Sequence, residues 1–178
     1  MRVLVDTNVL IRSVQKSHPA CRVARRALVS LYRDGHELFL TTQNVAEFWN
    51  VCTRPIDVNG LGLSIEGADR YTSQLQRFFG VLPDSIPAFD LWRKLVVDHG
   101  VVGVKVHDAR LVAVMGTSNI QRIVTFNTAD FTRFPGIDVM HPSTVRPIEM
   151  NPEGTAPAQG AGDETLEAEA LPSDPLAE

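Results

Sequence analysis

Short apolar runs alternate along this chain with longer stretches in which apolar residues return every three or four positions. Val3-Leu4-Val5 reads as the buried part of a strand over residues 2 to 5, followed by helices near 8 to 15 and 20 to 34. A short strand at 37 to 40 and a helix near 43 to 53 continue the alternation. Residues 55 to 63, Pro-Ile-Asp-Val-Asn-Gly-Leu-Gly-Leu, have the composition of a loop. Ser64 then caps a helix running to about Phe79, with Glu66 in its first turn. A further helix covers about 87 to 99, Gly100 closes it, and residues 101 to 104 are expected to form a brief extended link. Asp108 opens a segment in which Leu111, Val112 and Met115 recur at i+3, i+4 and i+7, the spacing of one helix face. A strand at 122 to 126, a turn carrying Asp130 and a last short strand near 137 to 140 complete the series. No repeat of fixed period is evident. Strands separated by helices predict an α/β protein whose parallel sheet is covered on both faces, with ligands bound beyond the carboxyl ends of the strands.

Composition refines this picture at the two ends. The chain has 178 residues, 44% hydrophobic and 21% charged, which is enough for one domain with a substantial core. No window reaches the roughly 18 uninterrupted apolar residues of a membrane helix, and the N-terminus lacks the basic and apolar regions of a signal peptide. A cytoplasmic protein with no membrane partner is expected. Cys21 and Cys52 fall on apolar helical stripes and read as buried free thiols. The net charge of −4 is unevenly spread: residues 151 to 178 hold seven acids and no Lys or Arg, so the preceding 150 residues carry 17 basic against 14 acidic side chains, a formal +3. The expected organisation is a folded domain over 1 to 147 and an acidic, disordered tail over 148 to 178. Such a tail is either a solvated extension or a competitor with nucleic acid for the mildly basic body.

Four acids hold the candidate chemistry. Asp6 ends the first strand-like run, Asp130 follows Phe126 by four residues, and Asp108 lies at a helix start. Glu47 sits within a helix, at the boundary between the polar strip of Asn44 and Asn50 and the apolar face. A carboxylate against apolar surroundings is costly unless a cation, a partner charge or hydrogen bonds compensate it. Taken singly, Asp6 and Asp108 also read as helix caps, Glu47 as a solvated helix residue and Asp130 as a turn aspartate. Taken together, four carboxylates without a His or Cys cluster suit Mg²⁺ or Mn²⁺ better than zinc. Ions so held orient water for attack on a phosphodiester and neutralise charge on its oxygens. An aspartyl-phosphate phosphatase would also begin with Asp after a strand. It usually needs a second Asp two residues on, where this chain has Asn8.

The segments Val-Leu-Val-Asp6-Thr7-Asn8-Val-Leu, Asn44-Val-Ala-Glu47-Phe, His107-Asp108-Ala109-Arg-Leu-Val-Ala and Thr125-Phe-Asn127-Thr-Ala-Asp130-Phe131 resemble, in order, the four signature motifs of PIN domains. The resemblance spans roughly residues 1 to 145. It implies a three-layer α/β/α fold with a central parallel sheet and a divalent-metal ribonuclease site. Carried over by position, Asp6, Glu47, Asp108 and Asp130 are the metal-site acids, while Asn8, Thr125 and Asn127 are the accompanying polar groups. The size resembles the short VapC-type toxins of this family, which implies an RNA substrate, a cognate antitoxin and a homodimer. The Pro55 to Leu63 loop and the acidic tail are departures. A catalytically silent PIN-like module that binds RNA or protein is the alternative, against which the retention of all four acids argues. Lys105 reads as a solvated loop lysine, His107 as a capping or phosphate-contacting residue, and Arg22, Arg25, Arg26 and Arg33 as a basic strip. Phe48, Trp49, Phe78, Phe79, Phe89 and Trp92 read as core or dimer packing.

Overall fold

The computed structural model describes residues 1–145, and the tail expected over 148 to 178 lies outside the described residues. Strand β1 (Arg2–Val5) has Val3, Leu4 and Val5 fully buried, because helices cover both faces of the sheet it centres. Helix α1 (Thr7–Val14) follows at once, and α2 (Cys21–Arg33) turns Ala24, Ala27, Leu28 and Leu31 inward. Strand β2 (Glu37–Thr41) runs into α3 (Thr42–Thr53), which starts with a capping box between Thr41 and Asn44. The loop after α3 is held by backbone bonds, among them Leu61 N–H to Val51 O and Leu63 N–H to Cys52 O. Helix α4 (Ile65–Phe78) is capped by Ser64 as expected, and α5 (Ile86–Asp98) by Ser85. Among the described residues α6 (Val106–Thr117), β4 (Arg122–Val124) and β5 (Asp138–Met140) follow. Cys21 and Cys52 are buried and unbridged.

Between α4 and α5 lies a strand that the sequence pattern did not reveal, β3 (Gly80–Leu82). It is an edge strand of three residues with only Leu82 buried, too short to show a period. The extended link expected at 101 to 104 is corrected too: Gly103 takes a left-handed φ of +60° and starts a 3₁₀ turn over Gly103–Lys105 that runs directly into α6.

Among the described residues the five strands form one sheet in the order β3-β2-β1-β4-β5, with every neighbouring pair parallel. One core cluster packs residues of α1 to α4 on one face, around Leu10, Phe48 and Cys52. A second packs α5 and α6 on the other, around Leu111, Met115 and Phe131. The result is the expected three-layer α/β/α sandwich. The chain moves outward from β1 to β2 and β3, then crosses to β4 on the opposite side. The β1/β4 junction is therefore the point where strand order reverses, where such sheets leave a crevice at their carboxyl ends. Among the described residues no helix is long and apolar enough to cross a membrane.

Candidate functional site

Asp6 is the first residue past β1, and its N–H bonds Val124 O of β4 at 3.0 Å, so its position is fixed by the strand pair. Its carboxylate caps α1, accepting from Asn8 N–H at 3.4 Å. Thr125, just past β4, donates its hydroxyl to Asp6 Oδ2 at 2.6 Å. Asn8 Nδ2 donates to the same oxygen at 2.7 Å and to Thr125 Oγ1 at 3.0 Å, while Asn8 Oδ1 accepts Phe126 N–H at 3.1 Å. With Asn127 N–H at 3.0 Å, the Thr125 hydroxyl has one acceptor and two donors, its full complement. Of Asn127 only the backbone takes part; its side chain is exposed.

Asp6 is 8% exposed, and burial pushes its pKa up to about 6. The hydrogen bonds from Thr125 and Asn8 oppose that rise, and the charges of Asp108 and Glu47 add to it.

Glu47, one turn into α3, is held at both oxygens: Thr7 Oγ1 donates to Oε2 at 2.7 Å and Gln43 Nε2 to Oε1 at 2.8 Å. Asn44 Nδ2 in turn donates to Thr7 Oγ1 at 2.9 Å, so the capping box of α3 also braces the site. Gln43 Nε2 further reaches His107 O at 3.3 Å, tying α3 to α6 across the crevice.

Asp108 was expected to open its helix; α6 instead begins at Val106 and Asp108 stands in its first turn, half-buried. Burial raises its pKa first, the charge of Asp130 next; Lys105 and His107 pull it down, and Glu47 pushes it up. Asp130 closes a 3₁₀ turn over Thr128–Asp130 after β4. Here the expectation for Lys105 fails. Its ammonium pairs with Asp130 Oδ2 at 2.6 Å and lies 3.8 Å from Asp108 Oδ2. Its pKa is raised, chiefly by the hydrogen bond to Asp130. A lysine stem spans several ångströms, so a loop position in sequence leaves its partner undetermined.

The four acids thus come from four separate segments joined by direct contacts: Thr7, next to Asp6, bonds Glu47; Gln43 bonds both Glu47 and the backbone of His107, next to Asp108; and Lys105 lies between Asp108 and Asp130. Among the described residues no three acidic, histidine or cysteine side chains stand close enough to grip one ion without adjustment. The donor set is nonetheless all oxygen, and among the described residues the buried Asp6 carboxylate is met by hydrogen bonds and the start of α1 rather than by a Lys or Arg, a setting that suits a hard cation. Thr7, Gln43, Asn44 and Lys105 complete the crevice. Sequence reasoning did not single out the first two, although Thr7 adjoins Asp6 and Gln43 precedes Glu47 by one helical turn. Between α5 and α6 a cavity of about 780 Å³ is bounded by Asp84, Ser85, Phe89, Trp92, His107 and Arg110, with Arg110 paired to Asp84 at 2.6 Å; none of the four acids lines it.

The sequence profile of the PIN domain matches residues 3–137. No curated protein is significantly similar in sequence. Among solved structures, VapBC-1 from nontypeable Haemophilus influenzae is 16% identical with a TM-score of 0.60, covering 80% of this chain and 99% of that one. A toxin–antitoxin complex from Klebsiella pneumoniae is 20% identical with a TM-score of 0.56, over 79% of this chain and 97% of that one. VapC20 of Mycobacterium tuberculosis, described as a sarcin–ricin loop cleaving toxin, is 16% identical with a TM-score of 0.53, over 68% of this chain and 86% of that one. At these identities the likeness establishes a shared fold.

Proposed function

The chain belongs to the PIN domain family, and we propose that it is a ribonuclease dependent on Mg²⁺ or Mn²⁺, with Asp6, Glu47, Asp108 and Asp130 as the metal-site acids. The observation that carries this reading is the chain of contacts that gathers four acids near the sheet's switch point, with Asp6 buried and, among the described residues, paired with no Lys or Arg. A bound divalent ion supplies Lewis acidity, lowering the pKa of a bound water and neutralising charge on the phosphate oxygens. The protein's own groups do the positioning. Thr125 and Asn8 fix the rotation of the Asp6 carboxylate, and Thr7 with Gln43 fixes that of Glu47. At Asp6 the donors also oppose the rise in pKa that burial imposes. Asn127 supports Thr125 through its backbone.

The biological setting we infer is that of a toxin restrained by a cognate antitoxin, since the solved structures that share this fold include a toxin–antitoxin complex and an RNA-loop-cleaving toxin. A homodimer in the cytoplasm is part of the same reading. Ile86, Phe89, Val97, Val102 and Val104 are exposed apolar residues on α5 and the link after it, a surface that a second copy would cover.

Cleavage of a structured RNA pool is the test, with wild type, Asp6→Asn and Asp108→Asn, each with Mg²⁺, with Mn²⁺ and with chelator. Activity only in the metal-loaded wild type is expected. Cleavage without metal, or full activity in both variants, would sink the mechanism, and tight RNA binding without cleavage would favour a silent binding module.

A further inference from the structure

Lys105 stands where a cation is wanted. Its ammonium lies 2.6 Å from Asp130 and 3.8 Å from Asp108, whereas the more buried Asp6 has no lysine or arginine partner among the described residues. We propose that Lys105 is a built-in competitor for the metal, holding Asp108 and Asp130 in the metal-free protein and swinging out when a divalent cation takes them. This rests on the reading of the acids as a metal site.

The argument is one of shared ligands and like charge. Mg²⁺ binds carboxylate oxygen at about 2.0–2.1 Å, and an ammonium on the same oxygens would then sit within about 4 Å of a dication. At that separation the two cations repel, so each weakens the other's hold on the pair. Lys105 is also built to leave. Its side chain is 40% exposed, so the route to water is open. It follows Gly103, whose φ of +60° turns the chain, and the exposed residues Val102 and Val104, so little packing resists a change of its rotamer. Unlike Thr7, Gln43 or Asn44, it braces no other member of the site. Its presence accounts for acids that interact without converging as a ligand set: two of them are gathered on the ammonium instead. The expected consequence is a site whose metal affinity is set by competition as well as by its ligands.

The test uses the full chain stripped with chelator. Mn²⁺ is titrated calorimetrically into wild type, Lys105→Met and Lys105→Arg, and each protein is melted with and without Mn²⁺. Lys105→Met is expected to bind Mn²⁺ about five-fold tighter, the scale of one partly exposed ion pair. Without metal it should melt below wild type, since Asp108 and Asp130 lose their counter-charge, so its Mn²⁺-induced rise in Tm should exceed that of wild type. Lys105→Arg, which keeps the charge, should behave as wild type. Equal or weaker Mn²⁺ binding by Lys105→Met overturns the competitor role and leaves the metal site standing. No Mn²⁺ binding by any of the three overturns both.

Discussion

A carboxylate 8% exposed, with burial raising its pKa from 3.8 to about 6, makes Asp6 a source of pH-dependent instability in the metal-free protein. The folded form holds its proton more tightly than the unfolded chain. That contribution to stability is therefore fully present below about pH 4 and is lost as pH rises through about 6. Asn at this position has one acceptor oxygen, so it can serve either the Asn8 N–H that Asp6 Oδ1 caps or the Thr125 and Asn8 Nδ2 donors at Oδ2, at a cost that does not depend on pH. Relative to wild type, Asp6→Asn should therefore gain about 1–3 kcal/mol of stability between pH 4 and pH 7.5 in the metal-free protein. Urea denaturation of both proteins at the two pH values checks this, and a gain independent of pH would contradict it. The same variant should lose cleavage by roughly 100-fold or more. Thr125→Val removes the donor to Asp6 Oδ2 and the acceptor of Asn8 Nδ2 and Asn127 N–H. It should cost about 1–3 kcal/mol by denaturation. At this scale the positions of Asp6, Asp108 and Asp130 beside strands and helix starts were readable from apolar periodicity, as Glu47 was from its motif. The Lys105 pairing was not, because a long flexible side chain has many possible partners and only the fold selects among them.

Helix α3 joins stability to the site. Asn44 closes the capping box with Thr41 and also donates to Thr7, which donates to Glu47. Asn44→Ala should destabilise the protein by about 1–2 kcal/mol and lower cleavage together, because one side chain serves both cap and brace. Thr41→Ala, which removes the cap while leaving Asn44 Nδ2 on Thr7, should lose similar stability with less effect on rate. Thermal melts and single-turnover rates on both variants separate the two roles. Long elements with clear periods, such as α2 and α4, were legible in the sequence, as was the Ser64 cap. Strand β3 was not, for its pairing with β2 depends on long-range register and on Gly80, where a Cβ would fall 2.6 Å from the Phe39 ring. The turn at Gly103–Lys105 was missed for a related reason: a run of valines favours extended backbone, and a single left-handed glycine overrides it.

For the whole molecule, the alternation of strands and helices was enough to predict a covered parallel sheet, while the strand order, and with it the meeting of Asp6 with Thr125, comes from the crossover that places β4 beside β1. Phe89 is 54% exposed on α5, and Phe89→Glu should convert a dimer to a monomer in light scattering if that face joins two copies. Deleting residues 151 to 178, with their seven acids, should leave folding intact and either leave RNA affinity unchanged or raise it modestly at low salt. Loss of cooperative unfolding in that variant would make the segment part of the folded body. The account depends most on where a divalent ion sits. An anomalous difference map from crystals equilibrated with Mn²⁺ should show a peak among the carboxylates of Asp6, Glu47, Asp108 and Asp130, with the Lys105 ammonium moved away. A protein that cleaves RNA in Mn²⁺ yet shows no peak among these acids would contradict it.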